Sequence, residues 1–162
     1  MLEQARDIIL KLVKINLEKG DKLDNLLELT KLQSIDLSSN SLNSLLDHIH
    51  QKQEVMNNID ELDKRFYHNF VELKTILGVS SIQDIKIEEY PEISQLKESV
   101  ARIMDKLTAI EGLDKANIKT VNEEIDKVKG DMKTLSSQTR ARKGYASAYK
   151  SDSPGFFIDG KK

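Results

Sequence analysis

Apolar residues recur at steps of three and four along most of this chain, and charged residues fill the positions between them. That spacing lines side chains along one face of an α-helix. Ala5, Ile8, Leu12 and Ile15 form a first stripe, resumed by Leu23, Leu26, Leu27 and Thr30. They predict a helix over about residues 2–33. Gly20 falls between its halves, where a cost of about 1 kcal/mol against Ala admits a bend or break. The run Ser34-Ile35-Asp36-Leu37-Ser38-Ser39-Asn40-Ser41 predicts a reversal of the chain, because Ser, Asn and Asp side chains compete with helical hydrogen bonds. Ser39 or Asn40 is the expected cap of the next helix.

A second helix is expected over about residues 41–77, on the stripe Leu42, Leu45, Ile49, Met56, Ile59, Leu62, Phe66, Phe70, Leu73 and Leu77. Its heptad spacing carries one polar layer near Lys52 and Gln53, a device that costs stability and fixes register. At about 1.5 Å per residue it spans roughly 50–55 Å, the length of an elongated hairpin. Gly78 is its expected terminator. Ser80 with Gln83, or Ser81 with Asp84, offers a capping box for a short turn. Tyr90-Pro91-Glu92 then opens a third helix over about residues 91–142.

The third helix carries two apolar blocks. Ile93, Leu96, Val100, Ile103, Leu107 and Ile110 make the first. Ile118, Val121, Ile125, Val128, Met132 and Leu135 make the second, displaced in phase by a stutter near Gly112 to Asp114, which locally relaxes supercoiling. The second stripe has two readings. It is core, closed by helix one or by a second copy of the chain, or it is a groove for another protein's helix. The expected fold is therefore all-α: an elongated antiparallel hairpin or three-helix bundle with coiled-coil-like packing. It occupies residues 1–143 and is followed by an irregular tail over 144–162.

Four of the eight aromatic residues, Tyr145, Tyr149, Phe156 and Phe157, fall in that tail beside Pro154, Gly155 and Gly160. Aromatics on a polar segment without a core of its own point to docking, on the protein's helices or on a partner. Arg140, Arg142, Lys143 and Lys150 stand close by. They complement the C-terminal dipole of helix three, or they form a landing site for an acidic partner.

Charged residues make up 32% of the 162-residue chain and aromatics 5%, a balance suited to helices that each bury a narrow stripe. The net charge of −2 argues against a nucleic-acid partner, which calls for a basic face. Without cysteine, thiolate catalysis, disulfides and Cys-type zinc sites are excluded. His48 and His50 point apart on one helix and His68 stands alone. Glu88 and Glu89 read as loop charge rather than as an acid/base pair, and no phosphate-binding loop or nucleophile elbow appears. No enzyme activity and no cofactor is expected. Charges interrupt the apolar N-terminus, so it does not read as a signal peptide, and no stretch suits a membrane span. A soluble cytoplasmic protein is the expectation.

Several segments carry a family likeness: Leu26-Leu27-Glu28-Leu29-Thr30-Lys31-Leu32-Gln33 before the Ser-rich turn, Ile59-Asp60-Glu61-Leu62-Asp63-Lys64-Arg65-Phe66, Leu73-Lys74-Thr75-Ile76-Leu77-Gly78-Val79, and the ending Phe156-Phe157-Ile158-Asp159-Gly160-Lys161. In this order they resemble the FlgN family of flagellar export chaperones, particularly its clostridial versions; FliT, a related chaperone class, has similar architecture. The resemblance implies a cytoplasmic chaperone of the flagellar type III export system. Its partners would be hook-associated proteins, gripped through the C-terminal half, and the membrane export gate. It also implies a gate-docking tyrosine, for which Tyr145 and Tyr149 are candidates, with Phe156, Phe157 and Ile158 as further docking residues. The alternative is a structural coiled-coil adaptor or oligomeric spacer, in which every stripe is saturated.

Overall fold

The computed structural model describes residues 2–145, with side chains through Lys143. Its described residues form three α-helices: α1 (Leu2–Ser38), α2 (Leu42–Leu77) and α3 (Ile93–Tyr145). A single 3-10 turn, Ile82–Asp84, lies in the connection between α2 and α3. The chain divides into two compact units, one through Thr120 and one from Val121.

The first unit is a three-helix bundle with α1 at its centre. Cross-helix pairs give the directions. Glu18–Arg65, Lys19–Asp63, Gln33–Lys52 and Asp36–His48 match rising positions on α1 with falling positions on α2, so the two are antiparallel. Arg6–Glu92, Asn16–Ser99, Asp24–Lys106 and Ser34–Asn117 rise together, so α1 and α3 are parallel. Serving two neighbours, α1 buries a broad face rather than one stripe; Ile9, Val13, Asn16 and Leu29 join the expected positions.

Two apolar clusters hold the bundle. Ala5, Ile8, Ile9 and Leu12 meet Leu73, Ile93 and Leu96, with Ile85 and Tyr90 anchoring the α2–α3 connection on them. Leu23 and Leu26 meet Ile59, Ile103 and Ile110 in the other. Burying a side chain of this size stabilises by about 1.5–3 kcal/mol. Tyr90 is the one buried aromatic among the described residues, as the lean aromatic content leads one to expect.

The helix ends show where local signals were read correctly and where they were not. Gly78 takes the left-handed conformation, φ 65°, and its N–H donates to the Lys74 carbonyl at 2.8 Å, the terminator geometry that glycine adopts without Cβ strain. Ser81 accepts from the Gln83 N–H at 3.2 Å and starts the 3-10 turn. The break at Gly20 does not occur. α1 runs through it, and the Lys106 ammonium approaches its carbonyl at 3.4 Å. α1 also continues through the Ser-rich segment to Ser38 rather than ending near Gln33. Ser38 returns its hydroxyl hydrogen bond to the Ile35 carbonyl within the helix, an option compatible with helix. Asn40, φ 55°, makes the turn. Neither Ser39 nor Asn40 caps α2; Ser41 precedes it without a side-chain capping bond. Pro91 and Glu92 form a turn, and α3 begins at Ile93.

Candidate functional site

An interior face is set by a helix's whole frame, and this decides what α2 and α3 leave outside. One unbroken heptad frame of α2 is unexposed along its length, Leu45, His48, Lys52, Val55, Ile59, Leu62, Phe66, Asn69 and Leu73, and it is joined near the C-terminal end by Phe70, Lys74, Ile76 and Leu77. Leu42, Ile49 and Met56, expected inside, are exposed. A straight helix cannot change faces midway, so the frame anchored by Ile59, Leu62 and Leu73 brings His48 and Lys52 inward with it.

Those polar residues find partners at the α1–α2 turn. Lys52 Nζ lies 2.5 Å from Asp114 Oδ1 and donates to Gln33 Oε1 at 3.1 Å, joining all three helices. His48 Nδ1 lies 2.5 Å from the buried carboxylate of Asp36. Ser34 Oγ donates to Asn117 Oδ1 at 2.7 Å, and Asn117 Nδ2 donates to the Thr30 carbonyl at 3.2 Å. The expected polar layer thus exists and is satisfied within the chain, through Lys52. Gln53 faces out and bonds Asn57. Sequence reading gave His48 no partner and missed its pairing with Asp36; their twelve-residue separation across a turn gave no helical-neighbour signal.

α3 behaves in the same way. Leu96, Ser99, Ile103, Lys106, Ile110, Leu113, Asn117 and Thr120 keep one inward frame through Gly112. The second apolar block lies one residue out of that frame. Ile118, at the end of the first unit, is 59% exposed. Leu107, expected inside, is exposed as well, and with Met104 and Ile118 it lines a shallow surface groove that also includes Thr108, Glu111 and Lys115.

In the second unit every residue from Val121 to Lys143 is exposed. Val121, Ile125, Val128, Met132 and Leu135 remain 37, 45, 55, 50 and 62% exposed. They recur at heptad spacing, so they form one apolar seam along a helix otherwise made of charged and polar residues. A contiguous exposed seam of this kind marks a surface for association. The chemistry it offers is that of a helix-accepting face: apolar knobs at regular spacing, flanked by charges.

Arg142 and Lys143 occupy the last turn of α3, where positive charge suits the helix dipole. α3 ends at Tyr145, so the helix persists past the expected end near residue 142. Tyr149, Phe156, Phe157 and Ile158, with Lys150, lie outside the described residues. Among the described residues no cluster of three or more His, Asp or Glu side chains is arranged to hold a metal ion. Nor is any of their helices long and apolar enough to cross a membrane.

No curated protein and no solved structure matches the chain. A family model does: the one described as FlgN protein matches residues 8–152, nearly the whole sequence. The chain therefore belongs to the FlgN family, a family of flagellar chaperones.

Proposed function

We propose that this chain is a cytoplasmic export chaperone that binds hook-associated, hook–filament junction proteins, prevents their premature assembly and delivers them to the flagellar export gate. The supporting observation is the exposed seam Val121, Ile125, Val128, Met132 and Leu135 of the second unit; Ile118, in the first unit, is exposed as well. A client's apolar helix laid on this seam completes a helical packing surface that the chain itself leaves open. Each half-exposed aliphatic side chain retains about 1 kcal/mol of burial to contribute. Together the five supply about 5 kcal/mol, toward the lower end of the cost of association, so the client must make further contacts as well.

In this reading Tyr145, Tyr149, Phe156 and Phe157 near the C-terminus, with the aliphatic Ile158, serve gate docking or extend the client contact, and the protein carries out no catalysis. Co-expression with hook-associated proteins and pull-down tests it. Retention of at least one is expected, and retention of none removes the proposal. Deleting residues 136–162 is expected to weaken capture while helicity by circular dichroism stays high. A structural spacer would instead form a constitutive oligomer and capture nothing.

A further inference from the structure

Basic and acidic residues are unevenly shared along this chain. Residues 132–151 hold five basic side chains, Lys133, Arg140, Arg142, Lys143 and Lys150, and no acidic one. The whole chain carries −2 and this segment +5, which leaves −7 on the remainder.

On α3 most of the described cations fall on one line. Lys129, Lys133, Ser136, Arg140 and Lys143 follow steps of 4, 3, 4 and 3, so they share a helix face about 21 Å long. All five side chains are exposed. Asp126 bounds this face at its start, and Asp131 lies on the opposite side of the helix, half a turn out of phase with Arg140. Among the described residues no ion pair within the chain engages Lys129, Lys133, Arg140 or Arg142. Lys19, Lys52 and Arg102, by contrast, each hold a carboxylate.

Uncompensated charge of one sign attracts an anionic counterpart, and the neighbouring residues decide which kind. Met132 and Leu135, beside the basic face, are 50 and 62% exposed. A helix with a basic face next to an exposed apolar one suits the interface of an anionic membrane, where cations meet head groups and aliphatic side chains meet acyl chains. A nucleic acid would leave the apolar face in water. The cations are also spread along the helix rather than gathered at one point, which matches a surface of diffuse charge.

We propose that this end of α3 lies on the surface of a membrane containing anionic phospholipid, attached through Lys133, Arg140, Arg142 and Lys143. The acidic remainder of the chain is repelled by the same surface, so contact is confined to this end. A few basic side chains give a weak, reversible partition that salt removes. The attachment rests on charge and does not require the client reading.

Co-sedimentation of the full chain with protein-free vesicles tests it. At low salt the chain should sediment with phosphatidylcholine vesicles containing about one-third phosphatidylglycerol, and not with phosphatidylcholine alone. Raising the salt to about 0.5 M should release it. Lys133→Ala and Arg140→Ala should each lower the partition coefficient about fivefold, and the double variant about 25-fold. Lys64→Ala with Lys115→Ala removes the same charge from exposed positions elsewhere and should change it by less than about twofold. Helicity by circular dichroism should hold throughout, because alanine favours helix.

Equal sedimentation with both kinds of vesicle, or none with either, overturns the proposal. A control variant that loses as much binding as Lys133→Ala/Arg140→Ala overturns the placement. Tighter binding to duplex DNA than to the anionic vesicles at the same salt overturns the choice of lipid, and retention only on membranes that contain protein assigns the basic face to an acidic protein instead. Client capture is read separately by pull-down. Its failure leaves vesicle binding standing, and loss of vesicle binding alone leaves the client reading standing.

Discussion

Ile125 and Ile103 sit on the same helix and have opposite duties. Ile103 is buried against Leu23, Leu26 and Ile59, whereas Ile125 is 45% exposed, and none of the described residues of its unit belongs to either apolar cluster. Truncating Ile103 to Ala leaves a cavity in the bundle and is expected to cost about 2–5 kcal/mol of stability. Truncating Ile125 opens no cavity. Alanine's better helix propensity returns a few tenths of a kcal/mol at most, so the melting temperature should hold or rise slightly. Capture responds the other way. Full burial of an isoleucine is worth about 1.5–3 kcal/mol, and roughly half remains to be gained on binding. Ile125→Ala should therefore weaken a hook-associated client by about fivefold. The triple variant Ile125→Ala/Val128→Ala/Leu135→Ala should weaken it by about two orders of magnitude if the three contributions add. Thermal melts read the first quantity and isothermal titration with purified client reads the second. The reasoning fails if the triple variant binds within twofold of the parent, or if it melts as early as Ile103→Ala.

Three further outcomes follow from the geometry. Gly78→Ala should destabilise by about 1 kcal/mol by denaturant titration, because the penalty lies in the left-handed backbone alone and the added Cβ meets no atom. Gly130→Ala meets nothing either and should raise helicity by circular dichroism, adding about 0.5–1 kcal/mol to the helix of the second unit. Lys52→Met should cost about 1–3 kcal/mol, since the Gln33 carbonyl oxygen loses its donor and the Asp114 carboxylate its cation. Adding Asp114→Asn should recover part of that loss, and no recovery in a double-mutant cycle would show the pair to be uncoupled.

What was legible in the sequence was local. Step-of-three-and-four spacing located all three helices, and the polar intervals between them located the turns. Gly78 was readable because only glycine occupies its backbone conformation without strain. Sequence left continuity through Gly20 open and misread the Ser-rich segment as an interruption for a shared reason: propensity is a weak term that tertiary burial outweighs. Gly20 is buried, and the α1 residues on either side of it pack into the two apolar clusters.

The choice of face was not local. Sequence alone ranks Ile49, Met56 and Leu107 above His48, Lys52 and Lys106 as interior residues, because apolarity is the only criterion it offers. The bundle selects on continuity of frame instead. Ile59, Leu62 and Leu73 fix the orientation of α2, and Leu96, Ile103 and Ile110 fix that of the first part of α3. Polar residues that fall in those frames go inside if partners await them, as Asp36 awaits His48 and as Gln33 and Asp114 await Lys52. The sequence by itself determined how many helices form, most of their ends and the heptad spacing of Ile118 to Leu135. The tertiary structure alone decided that Ile118 stays outside, because the inward frame of α3 in the first unit runs one residue away from it through Asn117 and Thr120.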